Sequence, residues 1–169
     1  VSVCANLPYY ITSPVIMHLL ESKLDVESIT VMVQKEAAQR LCAEVGSRDA
    51  GAVTVAVNYY AEAQKIFDVS AGSFMPAPKV DSSVIRLDVR KQPSIALDDE
   101  KLFFRMVKAV FAQRRKTASN SISSGMGLPK STVLQAITNA GYGENVRAES
   151  FTMQELAVLA NEISRLQRQ

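Results

Sequence analysis

Histidine and cysteine are scarce: the 169 residues hold one His, His18, and two Cys, Cys4 and Cys42. One histidine leaves too few ligands for an ordinary zinc site, and two cysteines do not make a disulfide framework. The cysteines are expected as small apolar fillers, and His18 at a helix surface or the edge of a core. The expected setting is a reducing cytoplasm, with no metal. No apolar run approaches the ~20 residues that a membrane-spanning helix needs. No charged leader with an apolar stretch opens the chain, so nothing indicates secretion. Apolar residues still make up 47%, enough for a real core and too many for a disordered chain.

Charge is small in total and uneven along the chain. Residues 1–100 carry 9 Lys/Arg and 13 Asp/Glu, a net of −4, and residues 101–169 carry 10 and 4, a net of +6. A basic carboxyl-terminal part suits a polyanionic partner. On charge alone, an ordinary solvated surface is the simpler account.

Val1 to Ala5 reads as a buried strand, a short apolar run stopping at a turn signal. No initiator Met precedes it, and a domain seldom begins inside a central strand. The chain is therefore expected to be the carboxyl-terminal portion of a longer protein. After a loop at residues 6–10, Ser13 and Pro14 suit the N-cap and first position of a helix. Its apolar face is Val15, Ile16, Leu19 and Leu20. Ser28 to Val33 is apolar and β-branched, a central strand. Helices are expected over 35–43 and 52–60, and strands over 63–69 and 82–90. In the last of these Ile85, Leu87 and Val89 alternate with Arg86, Asp88 and Arg90, the period-2 pattern of a half-exposed strand. Between the two strands, Phe74-Met-Pro-Ala-Pro78 is a stiff loop. Gln92-Pro93 marks a boundary, and helical patterns follow. One helix is expected from an Asp98 cap to about Ile122, one from a Ser131 cap to Gly141, and one from a Thr152/Glu155 capping box with Leu156, Leu159, Ala160, Ile163 and Leu166 at helical spacing. The layout is an α/β sheet followed by a small all-α domain.

Asn6-Leu7-Pro8-Tyr9 stands at the carboxyl end of the first strand, the edge where open α/β sheets bind ligands. An Asn oxygen and nearby carbonyls can accept hydrogen bonds from an exocyclic amino group. Pro8 stiffens the turn, and Tyr9 offers a flat face for a base. Four residues alone read more readily as a plain turn with buried tyrosines.

The wider sequence is more specific. Asn6-Leu-Pro-Tyr9 resembles the catalytic motif of amino-group adenine methyltransferases. Phe74-Met-Pro-Ala-Pro-Lys-Val-Asp-Ser-Ser-Val-Ile-Arg-Leu87 resembles a later motif of the ribosomal RNA adenine dimethylases, and Phe111-Ala-Gln-Arg-Arg-Lys-Thr117 the signature of their KsgA-type, small-subunit branch. Arg147-Ala-Glu-Ser-Phe151 also fits, and the order and spacing agree across essentially the whole chain. The resemblance implies that residues 1–92 form the carboxyl-terminal half of a Rossmann-like methyltransferase sheet, and 93–169 a helical RNA-binding domain. It implies S-adenosylmethionine as methyl donor. The substrate would be two adjacent adenines near the 3′ end of small-subunit rRNA, within the immature small ribosomal subunit. Asn6 and the carbonyls of Leu7 and Pro8 would hold the adenine amino group, Tyr9 and Phe74 would sandwich the ring, and Asn6 would also touch the cofactor. A Gly-rich loop after a first strand and an acid on the cofactor ribose are implied as well. The sequence is read as having neither a Gly-x-Gly pattern nor the strands that would precede Val1, so this chain alone is expected not to transfer methyl groups. A monomer is expected.

On a helix drawn over 102–122, Phe103, Met106, Val107, Val110, Phe111, Ala118 and Ile122 form one apolar stripe. Arg105, Lys108, Arg115 and Lys116 fall opposite or beside it and suit RNA phosphates. Arg114 falls inside the stripe, where only a break in the helix would free it. It is expected to pair with an acid or with carbonyls, RNA contact being the alternative. Lys79 and Arg147 are further RNA candidates, whereas Tyr10, Tyr59 and Tyr60 read as core or edge residues. Other functions compete: a large-subunit rRNA adenine methylase of the antibiotic-resistance type, a mitochondrial transcription-factor relative, a DNA adenine methyltransferase, and a cofactor-independent RNA-binding or ribosome-assembly module. The 111–117 signature speaks against the first, and the proline-rich Phe74 loop with its basic helical appendage against the DNA adenine methyltransferase.

Overall fold

The structure, a computed structural model, describes residues 1–22 and 24–169. The chain divides into two compact units, residues 1–44 with 56–94 and residues 45–55 with 95–169.

The first unit is built on a four-stranded sheet. Strand β1 (Ser2–Asn6) leads through a 3-10 turn at Tyr9–Ile11 into helix α1 (Thr12–Glu21), and β2 (Ser28–Gln34) follows. β1 and β2 are parallel, with Asn6 beside Met32. Helix α2 (Lys35–Leu41) comes next, then α3 (Ala52–Tyr60), β3 (Ala61–Val69) and β4 (Ser82–Val89). The strand order is β1-β2-β4-β3, and β4 lies antiparallel to both neighbours. Ile29, Val31, Val33, Ile85 and Leu87 are buried. Arg86 faces solvent opposite them, as the alternation in β4 requires. Because Gln34 and Val69 both pair with Ser82, the carboxyl ends of β2 and β3 and the start of β4 share one edge. Asn6 ends β1 at that same edge.

Two expectations fail here. β1 is not buried: among the described residues it pairs with β2 alone, at the edge of the sheet, and Cys4 on it is exposed rather than a filler. Helix α1 does not start at Ser13. The 3-10 turn carries the backbone directly into Thr12, with Ile11 at the N-cap position and no side-chain cap. Tyr10 is 85% exposed, so it is no core residue, whereas Tyr59 is buried. His18 is exposed on α1.

The second unit is helical: α4 (Glu100–Ala112), α5 (Ala118–Met126), α6 (Lys130–Asn139) and α7 (Met153–Gln167). Phe103, Met106, Val110, Ile122, Val133, Ile137, Leu156, Leu159 and Ile163 form its core, which Val45 and Val55 join. Thr152 and Glu155 make the expected reciprocal capping box on α7. The single helix expected to Ile122 is two. Gln113 (φ −134°, ψ 59°) leaves helical geometry, and Thr117 begins α5, whose first amide donates to the Val146 carbonyl. Folding back brings the helices close: a Cβ on Gly125 would stand 2.3 Å from the Ala109 Cβ, so glycine is required by contact. Asp99, not Asp98, caps α4 through the Leu102 amide. Helix α6 starts after Pro129 rather than at a Ser131 cap. Among the described residues no helix is long and apolar enough to cross a membrane.

Candidate functional site

The shared strand edge carries an open pocket of about 360 Å³, lined by Asn6, Leu7, Pro8, Tyr9, Met32, Phe74, Pro76 and Pro78. All five residues named from sequence as catalytic line it. Asn6 and Leu7 arrive because β1 ends there. Met32 arrives because it pairs with Asn6, and Phe74 because the β3–β4 loop returns to the same edge. Pro76 and Pro78 hold that loop stiff. The apolar surfaces come from rings and the Met32 side chain, so a flat heterocycle gains contact on both faces.

The polar groups are few. Among the described residues the Asn6 side chain has no partner and is exposed, leaving its oxygen free to accept. The Leu7 carbonyl lies outside the 3-10 turn. The Pro8 carbonyl accepts from the Ile11 amide at 3.1 Å and the Thr12 hydroxyl at 3.4 Å. The Tyr9 hydroxyl is hydrogen-bonded to the Ser82 hydroxyl, and Ser82 is fully buried. Asp81 accepts from the Ala71 amide at 2.9 Å. Close by, Asp68 accepts from the Ser83 hydroxyl at 2.6 Å and Lys65 at 3.3 Å. Those two bonds hold its carboxyl below the usual carboxylate range. Sequence reading did not single out Asp81, Ser82 or Ser83, although they stand inside the second motif.

The basic residues of the second unit separate into two kinds. Arg114 is committed internally: its Nε donates to Glu149 at 2.9 Å and its Nη2 to the Arg48 carbonyl at 3.1 Å. Its guanidinium also stands 5.5 Å from the Phe111 ring centroid. The helix does break at this point, yet Arg114 finds the acid and carbonyl expected for a buried position. Arg105 donates to the Met126 carbonyl at the end of α5. Lys108, Arg115 and Lys116 are exposed, and their side chains have no partner among the described residues. Arg115 and Lys116 lie in the α4–α5 turn. Lys79 and Arg147 are both exposed.

Nothing in the pocket makes a cofactor cradle. No acidic residue lines it. Contrary to the expectation of no Gly-x-Gly pattern, two such strings occur, at 125–127 and 141–143. Both mark helix ends of the second unit, where Gly127 (φ 66°) and Gly141 (φ 90°) take left-handed turns. Neither follows a strand, so neither has the setting of a phosphate-binding loop. Among the described residues no three His, Cys, Asp or Glu side chains cluster to hold a metal.

The family described as ribosomal RNA adenine dimethylase matches residues 1–164. The chain belongs to that family. It is 44% identical, over 98% of its length, to the ribosomal RNA small subunit methyltransferase A of Alkaliphilus oremlandii, and covers 58% of that protein. It is 46% identical over 94% of its length to the protein of the same description from Desulfitobacterium hafniense, covering 56%. It thus spans little more than half the length of these curated relatives. Its fold is that of a crystallised dimethyladenosine transferase from Plasmodium falciparum (TM-score 0.82, 22% identity, covering 98% of this chain and 67% of that one). It also matches the 23S rRNA methyltransferase ErmE (TM-score 0.68, 24% identity, covering 96% and 65%). The dimethylase chain is therefore α/β and Rossmann-like, and the relatives named for the small subunit favour that branch.

Proposed function

We propose that this chain supplies the target-base side of S-adenosylmethionine-dependent N6,N6-dimethylation of two adjacent adenines near the 3′ end of small-subunit rRNA. The observation that carries the proposal is the gathering of Asn6, Leu7, Tyr9 and Phe74 around one pocket at the strand edge, in a member of the adenine dimethylase family.

The chemistry follows from what the adenine amino group lacks. Its lone pair is delocalised into the ring, so it is a poor nucleophile. The Asn6 oxygen and the Leu7 carbonyl accept its two hydrogens, which favours a pyramidal nitrogen and stabilises positive charge as it grows there. Tyr9 and Phe74 take the faces of the ring and offset the few kcal/mol of unstacking about which base extrusion turns. S-adenosylmethionine, when bound, supplies an electrophilic methyl on a sulfonium that leaves readily. The pocket lining contains no His or carboxylate, so the amino proton goes to water rather than to a dedicated base. An open pocket also leaves room for the singly methylated amine to return.

Arg115, Lys116 and Lys108 contact RNA phosphates, while Arg114 and Arg105 hold the helices that carry them. The partner is the immature small subunit, in the cytoplasm, and the protein acts as a monomer. An NMR titration tests the proposal. Oligoadenylate should shift the signals of Asn6, Tyr9 and Phe74, and oligouridylate of equal length should not. Shifts confined to α4 and α5, with either RNA, would instead favour a cofactor-independent RNA-binding module.

A further inference from the structure

Each aromatic wall of the pocket is tied to one of two consecutive residues. The Tyr9 hydroxyl bonds to the hydroxyl of Ser82, a side chain fully buried at the first position of β4. A tyrosine ring has two side-chain torsions, so fixing its far end leaves it little freedom. The other wall sits on the 70–81 loop. The Asp81 carboxylate accepts from the Ala71 amide at 2.9 Å, and the Ala71 carbonyl in turn accepts from the Phe74 amide at 3.3 Å. Asp81 is itself anchored, because its own carbonyl accepts from the Lys35 amide at 3.0 Å where β2 passes into α2.

We infer that Asp81 and Ser82 are positioning residues that set the gap between the pocket's two aromatic walls, Ser82 through Tyr9 and Asp81 through the loop bearing Phe74. Two-sided stacking weakens steeply when either face loses contact, so the gap decides how well a purine is held. The ties end on adjacent residues, Asp81 just before β4 and Ser82 at its first position, so the walls share one reference. The link to adenine rests on the proposed function, but the mechanical claim does not.

Ser82→Ala removes the bond to Tyr9 without adding bulk. Asp81→Ala removes the loop tie, and Asp81→Asn keeps an acceptor oxygen. Two measurements need no ligand. In Ser82→Ala the Tyr9 ring should gain motion in aromatic relaxation experiments. In Asp81→Ala the Ala71 amide should exchange with solvent about tenfold faster, on the order of one lost hydrogen bond, and Asp81→Asn should restore much of the protection. A third measurement uses RNA. Both Ala variants should lose about three- to tenfold of the preference for oligoadenylate over oligouridylate, as one weakened stacking contact implies. Oligouridylate binding and thermal stability should stay close to wild type, which general loosening of the fold would not allow. Unchanged Tyr9 motion and Ala71 exchange overturn the inference, whatever the RNA result. Altered wall motion with an unchanged adenine preference overturns the claim that the gap matters for the base. A wild-type chain without adenine preference sinks the proposed function, and the ring and amide measurements then decide the positioning claim by themselves.

Discussion

Arg114 and Arg115 are neighbours in sequence with opposite expected effects on RNA binding. Arg115 is exposed and unpartnered among the described residues, as is Lys116. Arg114 spends its guanidinium on Glu149 and the Arg48 carbonyl. For single-stranded RNA each phosphate contact contributes about 0.7 to the slope of log affinity against log salt. Arg115→Gln should flatten that slope by about 0.7, so that between about 50 and 200 mM salt it loses about 2.6-fold less affinity than wild type. Replacing Arg115 and Lys116 together should flatten the slope by about 1.4, about sevenfold over the same range. Neither change should move the thermal midpoint. Arg114→Gln should leave the slope alone and cost stability. The pair is partly exposed, with side-chain accessibilities of 36% and 25%, so solvent screens it. About 1 kcal/mol is expected, or about 2–4 °C in the midpoint of a chain this size. Fluorescence anisotropy across a salt series, beside a thermal melt, reads both quantities. A slope unchanged in Arg115→Gln, or a flattened slope in Arg114→Gln, would refute the division of labour.

Gly125→Ala should destabilise the helical unit although alanine is the better helix former by about 1 kcal/mol. The new Cβ would meet Ala109 at 2.3 Å from its Cβ and 2.9 Å from its Cα, and overpacking of that kind costs about 1–3 kcal/mol. A denaturant midpoint that rises rather than falls would contradict this. Adding Ala109→Gly should restore part of the loss. A pH dependence is expected at α7. Glu155 is held below its ordinary value, first by the Thr152 backbone amide, then by the Thr152 hydroxyl and Tyr142. Its stabilisation is complete above the ordinary carboxylate range and is lost as pH falls through the lower folded value. Thr152→Ala should cost about 1 kcal/mol at neutral pH and should flatten the acid limb of a stability–pH profile.

Much of this arrangement was legible in residues alone, where the sequence pattern has one structural solution. The alternation Ile85/Arg86/Leu87/Asp88 defines a half-exposed strand, and Thr152 with Glu155 defines a helix start. The motif residues Asn6 to Tyr9 and Phe74 are legible as motifs, and one strand edge joins them. Long-range packing was less legible. The apolar stripe keeps helical phase from Phe111 to Ala118 across the break at Gln113, so periodicity had no means of seeing the turn. What bends the chain there is the close approach of Gly125 to Ala109 and the bond from Ala118 to the Val146 carbonyl, contacts absent from any local window. The edge position of β1 likewise depends on which strands pair, not on how apolar Val1 to Ala5 are.

The central claim is that the pocket recognises the amino group of adenine through Asn6 and Leu7. It is tested most directly by comparing two otherwise identical short RNAs, one with adenine and one with unsubstituted purine, which lacks that amino group, at the target position. The account predicts about tenfold weaker binding of the purine RNA, roughly the cost of leaving acceptors unpaired, and a smaller difference between the two RNAs in Asn6→Ala, where only the Leu7 carbonyl remains to accept. Equal affinity of the wild-type chain for both would contradict it.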